Sequence, residues 1–255
     1  MFYSGWYCDI TNLTAPRGLC SPGYWCEFGV DTPAPNNNNT GSGGLCPTGY
    51  YCPEGTTLPM SCLAGTYQDE EGQSGCKECP AGYYCLFNST TYRDTVCLSG
   101  HYCPNGTAYD IQYPCPQGTF NSLPGQHDST ACVPCTPGLY CEGMGLSGPT
   151  TECDEGWYCT SGSWLAQPST PEGGYCVSGE YCPRGSSAPI PCDPGSYCHR
   201  DKLNDTSGLC SSGYYCSGNS TTSNLDLIIA IPIFPYCQMV HYCCVYYSDA
   251  DWIGR

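Results

Sequence analysis

Aliphatic side chains are scarce: Leu, Ile, Val and Phe together number 34 of 255 residues, about 13% of the chain. A compact domain fills its interior with a far larger share, so a single large hydrophobic core is excluded. Basic residues are scarcer still. Seven Lys and Arg stand singly along the chain (Arg17, Lys77, Arg93, Arg184, Arg200, Lys202 and Arg255) against a formal net charge of -16. No basic patch can form to meet phosphates or an anionic bilayer, which excludes nucleic acid as a partner. Long hydrophobic runs are missing too. The one apolar run, Leu225 to Tyr236, contains Asp226, Pro232 and Pro235 and is too short and too broken to span a bilayer, so this segment predicts no membrane insertion. The start, Met1 to Cys8, has neither a basic stretch nor an apolar one and does not read as a signal peptide. The expectation is a mature or truncated piece of something longer.

Low aliphatic content with high net charge would ordinarily mean disorder. Cysteine overturns that inference. The chain carries 26 Cys, with 32 Gly, 23 Pro and 23 Tyr, a density at which disulfides hold the shape that apolar burial cannot. Such a chain belongs in an oxidising compartment.

One motif recurs: Cys-x-x-Gly-x-aromatic-Cys, in nine full copies at 20–26, 46–52, 79–85, 97–103, 135–141, 153–159, 176–182, 192–198 and 210–216. Three more keep glycine and aromatic but lack one cysteine. Gly5-Trp6-Tyr7-Cys8 has Phe2 in the first slot, while Gly65-Thr66-Tyr67 and Gly118-Thr119-Phe120 are followed by Gln68 and Asn121. A degenerate thirteenth, Cys237 to Cys243, has Val240 in the glycine slot. Five of the eleven intervals between motif glycines are 18 residues, and the others run from 16 to 26. Glycine supplies the positive φ of a tight reversal and lets another segment approach. The neighbouring proline presets the turn, and the aromatic packs against sulfur. Each copy is thus a small hairpin-like loop in which tyrosines and disulfides replace leucine and isoleucine. An exposed carbohydrate-binding ladder of tyrosines is the lesser reading.

The two exceptional copies bear on the disulfide map. Where Gln68 and Asn121 take the second slot, a new cysteine follows at Cys76 and Cys132, each three residues before the next motif's Cys79 or Cys135. The simplest pairing is Cys62–Cys76 and Cys115–Cys132. By analogy the rest pair locally: Cys20–Cys26, Cys46–Cys52, Cys79–Cys85, Cys97–Cys103, Cys135–Cys141, Cys153–Cys159, Cys176–Cys182, Cys192–Cys198 and Cys210–Cys216. That leaves Cys8 and one of Cys237, Cys243 or Cys244 over. The rival joins each copy to the next, as in Cys85–Cys97, and forces strained Cys76–Cys79 and Cys132–Cys135 bridges. Spacing alone leaves both open.

The stretches from Cys62-Leu63-Ala64-Gly65-Thr66-Tyr67 through Cys76-Lys77-Glu78-Cys79 to Cys85, and from Cys115 to Phe120 through Cys132-Val133-Pro134-Cys135, resemble the ephrin-receptor-like cysteine-rich repeat. They are more loosely similar to tumour-necrosis-factor-receptor modules. The resemblance covers roughly residues 2 to 216, and the chain departs from it in the shortness of most copies. It implies an extracellular protein of the kind found in large protist and algal surface proteins, including mastigoneme proteins that build flagellar hairs, and in animal receptor and matrix ectodomains.

Six Asn-x-Ser/Thr sequons, at Asn12, Asn38, Asn88, Asn105, Asn204 and Asn219, all fall in linkers after a motif's second slot, where an attached glycan could face solvent. Ser89-Thr90-Thr91 and Ser220-Thr221-Thr222-Ser223 could add O-linked sugar. No cofactor beyond covalent glycans is expected. Gly143-Met144-Gly145-Leu146-Ser147-Gly148 lacks the strand and helix of a dinucleotide site and reads as a loop. His101, His127, His199 and His241 are scattered, and no catalytic motif occurs. The two Cys-x-x-Cys pairs lie 53 residues apart, outside zinc-ribbon spacing, and Asp69-Glu70-Glu71 follows no calcium-loop pattern. Neither a catalytic nor a metal site is assigned.

The expected fold is an array of small disulfide-rich tandem repeats, an elongated rod of short β-hairpins and loops with almost no helix, each copy touching mainly its neighbours. A dozen copies advancing about 10 Å each give on the order of 100 Å. By organisation the chain divides into N-terminal repeats (1–45), long repeats with Cys-x-x-Cys (46–141), short repeats (142–222) and an atypical apolar segment (223–255). That last segment holds 10 of the 34 Leu, Ile, Val and Phe residues. It reads as a docking end, as a capping half-repeat, or as residues foreign to the repeat, such as intron read-through. The functional expectation is a non-catalytic structural subunit of a secreted glycoprotein filament or cell-surface appendage, mastigoneme-like, whose partners are copies of itself or related repeat proteins. The alternative is the stalk or ligand-binding ectodomain of a surface receptor or adhesin.

Overall fold

The computed structural model describes residues 4–9, 15–36, 42–224 and 226–227. The degenerate copy at Cys237–Cys243, Asn12 and Asn38 lie outside them. The chain forms two compact bodies. The first comprises Met1–Thr136, Tyr140–Thr151 and Ser161–Leu165, and the second Pro137–Leu139, Glu152–Thr160 and Ala166–Arg255. Both are built the same way, as small disulfide-rich tandem repeats of short strands. The only helical element among the described residues is a single 3-10 turn, Ser129–Ala131. None of their helices is long and apolar enough to cross a membrane.

Each copy starts with a turn. In the first body Tyr50 N–H donates to Pro47 O at 3.2 Å and Thr66 N–H to Leu63 O at 3.0 Å, with Gly49 (φ 80°) and Gly65 (φ 90°) in the third position of those turns. The second body repeats this at Trp157 and Glu180, behind Gly156 and Gly179. Positive φ at the third residue is the signature of a type II turn and favours glycine. After the turn, two residues pair antiparallel with the two that precede the next copy's first cysteine. Tyr50–Tyr51 pairs with Met60–Ser61, Thr66–Tyr67 with Lys77–Glu78, and Glu180–Tyr181 with Ile190–Pro191. Every strand belongs to a two-stranded sheet.

Two further rungs bind the motif glycine to the copy that follows. Gly65 O accepts from Cys79 N–H at 2.9 Å, and Gly65 N–H donates to Cys85 O at 2.7 Å. The same pair of bonds recurs from Gly5 to Gly118 in the first body and from Gly138 to Gly195 in the second. Where a cysteine is missing, the backbone of its replacement takes the rung, as Gly49 N–H donates to Gln68 O and Gly100 N–H to Asn121 O.

A second left-handed position, three or four residues after each second slot, does not appear in the motif. In the first body it is Gly29, Gly55, Gly72, Asn88, Gly106, Gly125, Gly145 and Gly162, and in the second Gly185, Lys202 and Asn219, all with φ between 61° and 82°. Its N–H reaches back to the preceding copy's first cysteine: Gly106 to Cys79 O at 2.8 Å, Lys202 to Cys176 O at 2.7 Å. Its carbonyl presses on the motif glycine two copies back. A Cβ on Gly82 would lie 2.7 Å from Gly125 O, and one on Gly156 2.6 Å from Lys202 O. Each copy therefore touches the next and the next but one, a longer reach than nearest-neighbour stacking, because the linker turn folds back over the hairpin it has just passed.

The interior is sulfur. Among the described residues, nineteen cysteines, from Cys20 to Cys216, are buried, with Val30, Pro35, Tyr67, Pro168 and Leu203 among the apolar side chains buried beside them. Most motif aromatics are half-buried, with Tyr67 buried and Tyr215 exposed. The Tyr7 ring covers Gly18, and the Tyr158 ring covers Gly174. At the C-terminal end Tyr214–Tyr215 pairs with Asp226–Leu227 in the register of every earlier hairpin.

Candidate functional site

The covalent skeleton comes first. Among the described residues eleven disulfides close, nine across six residues (Cys20–Cys26, Cys46–Cys52, Cys79–Cys85, Cys97–Cys103, Cys135–Cys141, Cys153–Cys159, Cys176–Cys182, Cys192–Cys198 and Cys210–Cys216) and two across longer loops, Cys62–Cys76 and Cys115–Cys132. Cα–Cα separations of 5.5–6.3 Å suit the bond. Cys8 is free and half-buried.

Gln68 and Asn121 are more than vacancies in the cysteine pattern. Gln68 is 1% exposed; its Nε2 donates to Gly75 O at 2.7 Å and its Oε1 accepts from Glu70 N–H at 3.1 Å. Asn121 donates from Nδ2 to His101 O at 3.0 Å and accepts Leu123 N–H at 3.0 Å. Each carboxamide satisfies both of its ends and ties down the loop that the displaced disulfide encloses.

Four of the six sequons lie among the described residues, and the fold treats them differently. Asn88 and Asn219 occupy the left-handed linker position itself (φ 61° and 65°), which asparagine tolerates better than other residues with a side chain. Asn88 turns its Oδ1 inward, where it finds no hydrogen-bond partner. Asn105 stands one residue before the left-handed Gly106, exposed, with Oδ1 accepting Ala81 N–H at 2.7 Å. Asn204 is exposed and donates from Nδ2 to Glu155 Oε2 at 2.9 Å. A hydroxyl residue commonly follows the left-handed position. Thr56, Thr107 and Ser186 each donate to the proline carbonyl three residues back at 2.6 Å and are buried. The recurring Cys-x-x-Gly/Asn-Ser/Thr after the second slot was the sequence signal for this turn.

Aromatic and charged side chains gather at two places. In the first body Tyr92, outside any motif, packs edge-on against Tyr67 and Tyr83, with ring centroids 5.1 and 5.0 Å apart. Burial there pushes the Tyr67 hydroxyl above its ordinary pKa. Beside it Lys77 Nζ lies 2.7 Å from Asp69 Oδ1 and 3.3 Å from Glu70 Oε1. The Lys77 hydrogen bond holds the Asp69 carboxyl below its usual range, and the Asp69 bond holds the Lys77 ammonium above its own. In the second body the Lys202 ammonium stands 4.5 Å from the Trp157 ring centroid and 5.4 Å from that of Tyr175. The two rings meet edge-on at 5.7 Å, a cation–π arrangement at the surface.

The remaining sequence candidates stay apart. Gly145 is a ladder residue, so the Gly143–Gly148 stretch serves the repeat. His101 Nδ1 is 3.4 Å from Ser99 O, His127 pairs with its neighbour Asp128, and His199 Nδ1 meets Ser207 Oγ at 2.6 Å. His241 lies outside the described residues. Among the described residues no group of three His, Cys, Asp or Glu side chains is placed to hold a metal ion.

No protein-family model matches the chain. A stretch of 103 residues is 36% identical to ABC transporter G family member 25 of Oryza sativa subsp. japonica; the match takes in 36% of this chain. The chain spans about a tenth of that protein's length.

Proposed function

We propose that the chain is a non-catalytic structural subunit of an extracellular glycoprotein filament or appendage. The observation that carries this reading is the repeated tie itself: every motif glycine from Gly5 to Gly195 is bonded to the following copy through both its N–H and its C=O, and every copy from Cys20 to Cys216 carries a disulfide. Interlocked copies resist local opening, because a turn can leave only by breaking bonds to two neighbours. Eleven disulfides suit an extracellular setting, and the acidic surface keeps such a protein soluble and spaced. Self-association with copies of itself or with related repeat proteins, mediated by linkers, sugar or the apolar end, completes the reading. Electron microscopy of the glycosylated protein from its native source tests it. Fibres with the chain repeating along them are expected, and only dispersed monomers would overturn it.

A second reading is that the repeats form an ectodomain stalk of a membrane protein. The partial likeness to a protein named as a transporter favours it. Fractionation separates the two: filament protein sediments after detergent extraction, whereas an ectodomain follows the membrane fraction and dissolves with it.

A further inference from the structure

Resting on the glycoprotein reading, we infer that Asn105 accepts its glycan only before its own turn closes, so that glycosylation and folding compete there, while Asn204 stays open to modification in the folded chain. Transfer joins Asn105 Nδ2 to the anomeric carbon of a polyprenyl-diphosphate-linked oligosaccharide. The new C–N bond replaces the C–O bond to phosphate, the diphosphate leaves with the bonding electrons, and the proton lost from nitrogen passes to solvent. The transferase reads the acceptor through the hydroxyl two residues on, which here is Thr107.

In the folded chain that hydroxyl cannot be read. Thr107 is 0% exposed, and its Oγ1 donates to Pro104 O at 2.6 Å. The backbone around it is committed as well: Gly106 N–H donates to Cys79 O at 2.8 Å, and Thr107 O accepts Cys85 N–H at 3.0 Å. Presenting this sequon to an enzyme means breaking both rungs and exposing a buried hydroxyl. The sealing groups Cys79, Ala81, Cys85 and Pro104 all precede Asn105 in sequence, so the turn can close as soon as it is made.

Asn204 is the contrast. Asn204 and Asp205 are exposed and Thr206 is partly so, and the neighbouring ladder bonds, from Lys202 N–H to Cys176 O and from Cys182 N–H to Leu203 O, end just before the sequon. The Asn204 side chain is held by the surface hydrogen bond to Glu155, which water can replace.

The test uses the full chain made without glycans in a bacterial periplasm, its disulfides verified closed. It is incubated with solubilised oligosaccharyltransferase and the lipid-linked donor, and occupancy is followed at each asparagine by glycopeptide mass spectrometry. In the oxidised chain Asn204 is expected to be modified at least tenfold faster than Asn105. After reduction and alkylation the two rates converge. Comparable rates at the two sites in the oxidised chain, both being zero included, overturn the inference. So does a tenfold gap that persists after reduction, because the gap would then belong to the local sequence. The glycoprotein reading fails separately, on native-source protein in which every asparagine is unmodified.

Discussion

Replacing Gly65 with alanine separates two roles of glycine that the repeat superimposes. Gly65 has φ 90°, and a Cβ there would fall on Gly106 O. Gly143 has φ 95° with nothing within 4 Å of the added atom, and Gly75 has neither positive φ nor a neighbour. Left-handed backbone costs a residue with a Cβ about 1–2 kcal/mol, offset by about 0.4–1 kcal/mol from the stiffer unfolded chain. Gly143→Ala is therefore expected to cost about 0–1.6 kcal/mol, and Gly75→Ala to be neutral or slightly stabilising. Gly65→Ala carries the same strain and must also push the linker turn off its seat, an overpacking cost of about 1–3 kcal/mol. A repeat array opens locally, not all at once, so the assay is native-state hydrogen exchange of the Cys79, Cys85 and Gly106 amides with disulfides intact. Relative to the effect of Gly143→Ala on its own neighbouring amides, those three should exchange roughly 5–150-fold faster in Gly65→Ala. Equal effects of the two substitutions would refute the claim that close approach between copies, and not turn geometry alone, demands glycine.

Peptide mapping of unreduced protein should recover Cys62–Cys76 and Cys115–Cys132, and a Cys85–Cys97 peptide would contradict the local pairing. Removing one short bridge, as in Cys79→Ala with Cys85→Ala, is expected to lower local stability by about 2 kcal/mol on chain-entropy grounds, read as protease cleavage confined to the neighbouring copies. Gln68→Ala leaves Gly75 O and Glu70 N–H without their buried partner, at about 1–3 kcal/mol for each group that water cannot reach; denaturant unfolding should show the loss, and Gln73→Ala should not. The lowered Asp69 pKa means that its contribution is complete above the ordinary aspartate value near ~3.9 and disappears as pH falls through the lower folded value. NMR titration should place the Asp69 midpoint below that of an ordinary aspartate, and Lys77→Gln should return it there.

The hairpins and their turns were legible because each residue type in Cys-x-x-Gly-x-aromatic-Cys has one physical job, so a recurring spacing translates directly into a recurring shape. The second left-handed position was hidden by two habits of the chain. Its offset drifts between three residues, as at Gly106 after Cys103, and four, as at Gly72 after Gln68. Asn88, Lys202 and Asn219 also stand where glycine would have announced the turn. The reach to the next copy but one could not be read at all, since copies of one motif do not reveal which of them meet. Gln68 and Asn121 looked like gaps in a cysteine pattern, and only their hydrogen bonds disclose that they replace it. Tyr92 belongs to no motif, so nothing in the spacing pointed to its packing between Tyr67 and Tyr83.

The uneven intervals between motif glycines have an engineering consequence. Between Gly23 and Gly49 the chain spends 26 residues and between Gly49 and Gly65 only 16, yet Cys46 and Cys62 bond back to Gly23 and Gly49 at the same 2.9 Å. The extra residues fall between Phe28 and Ser42, the facing ends of two paired strands. A gene for such an array can therefore gain or lose codons between paired strands while the rungs on either side keep their register.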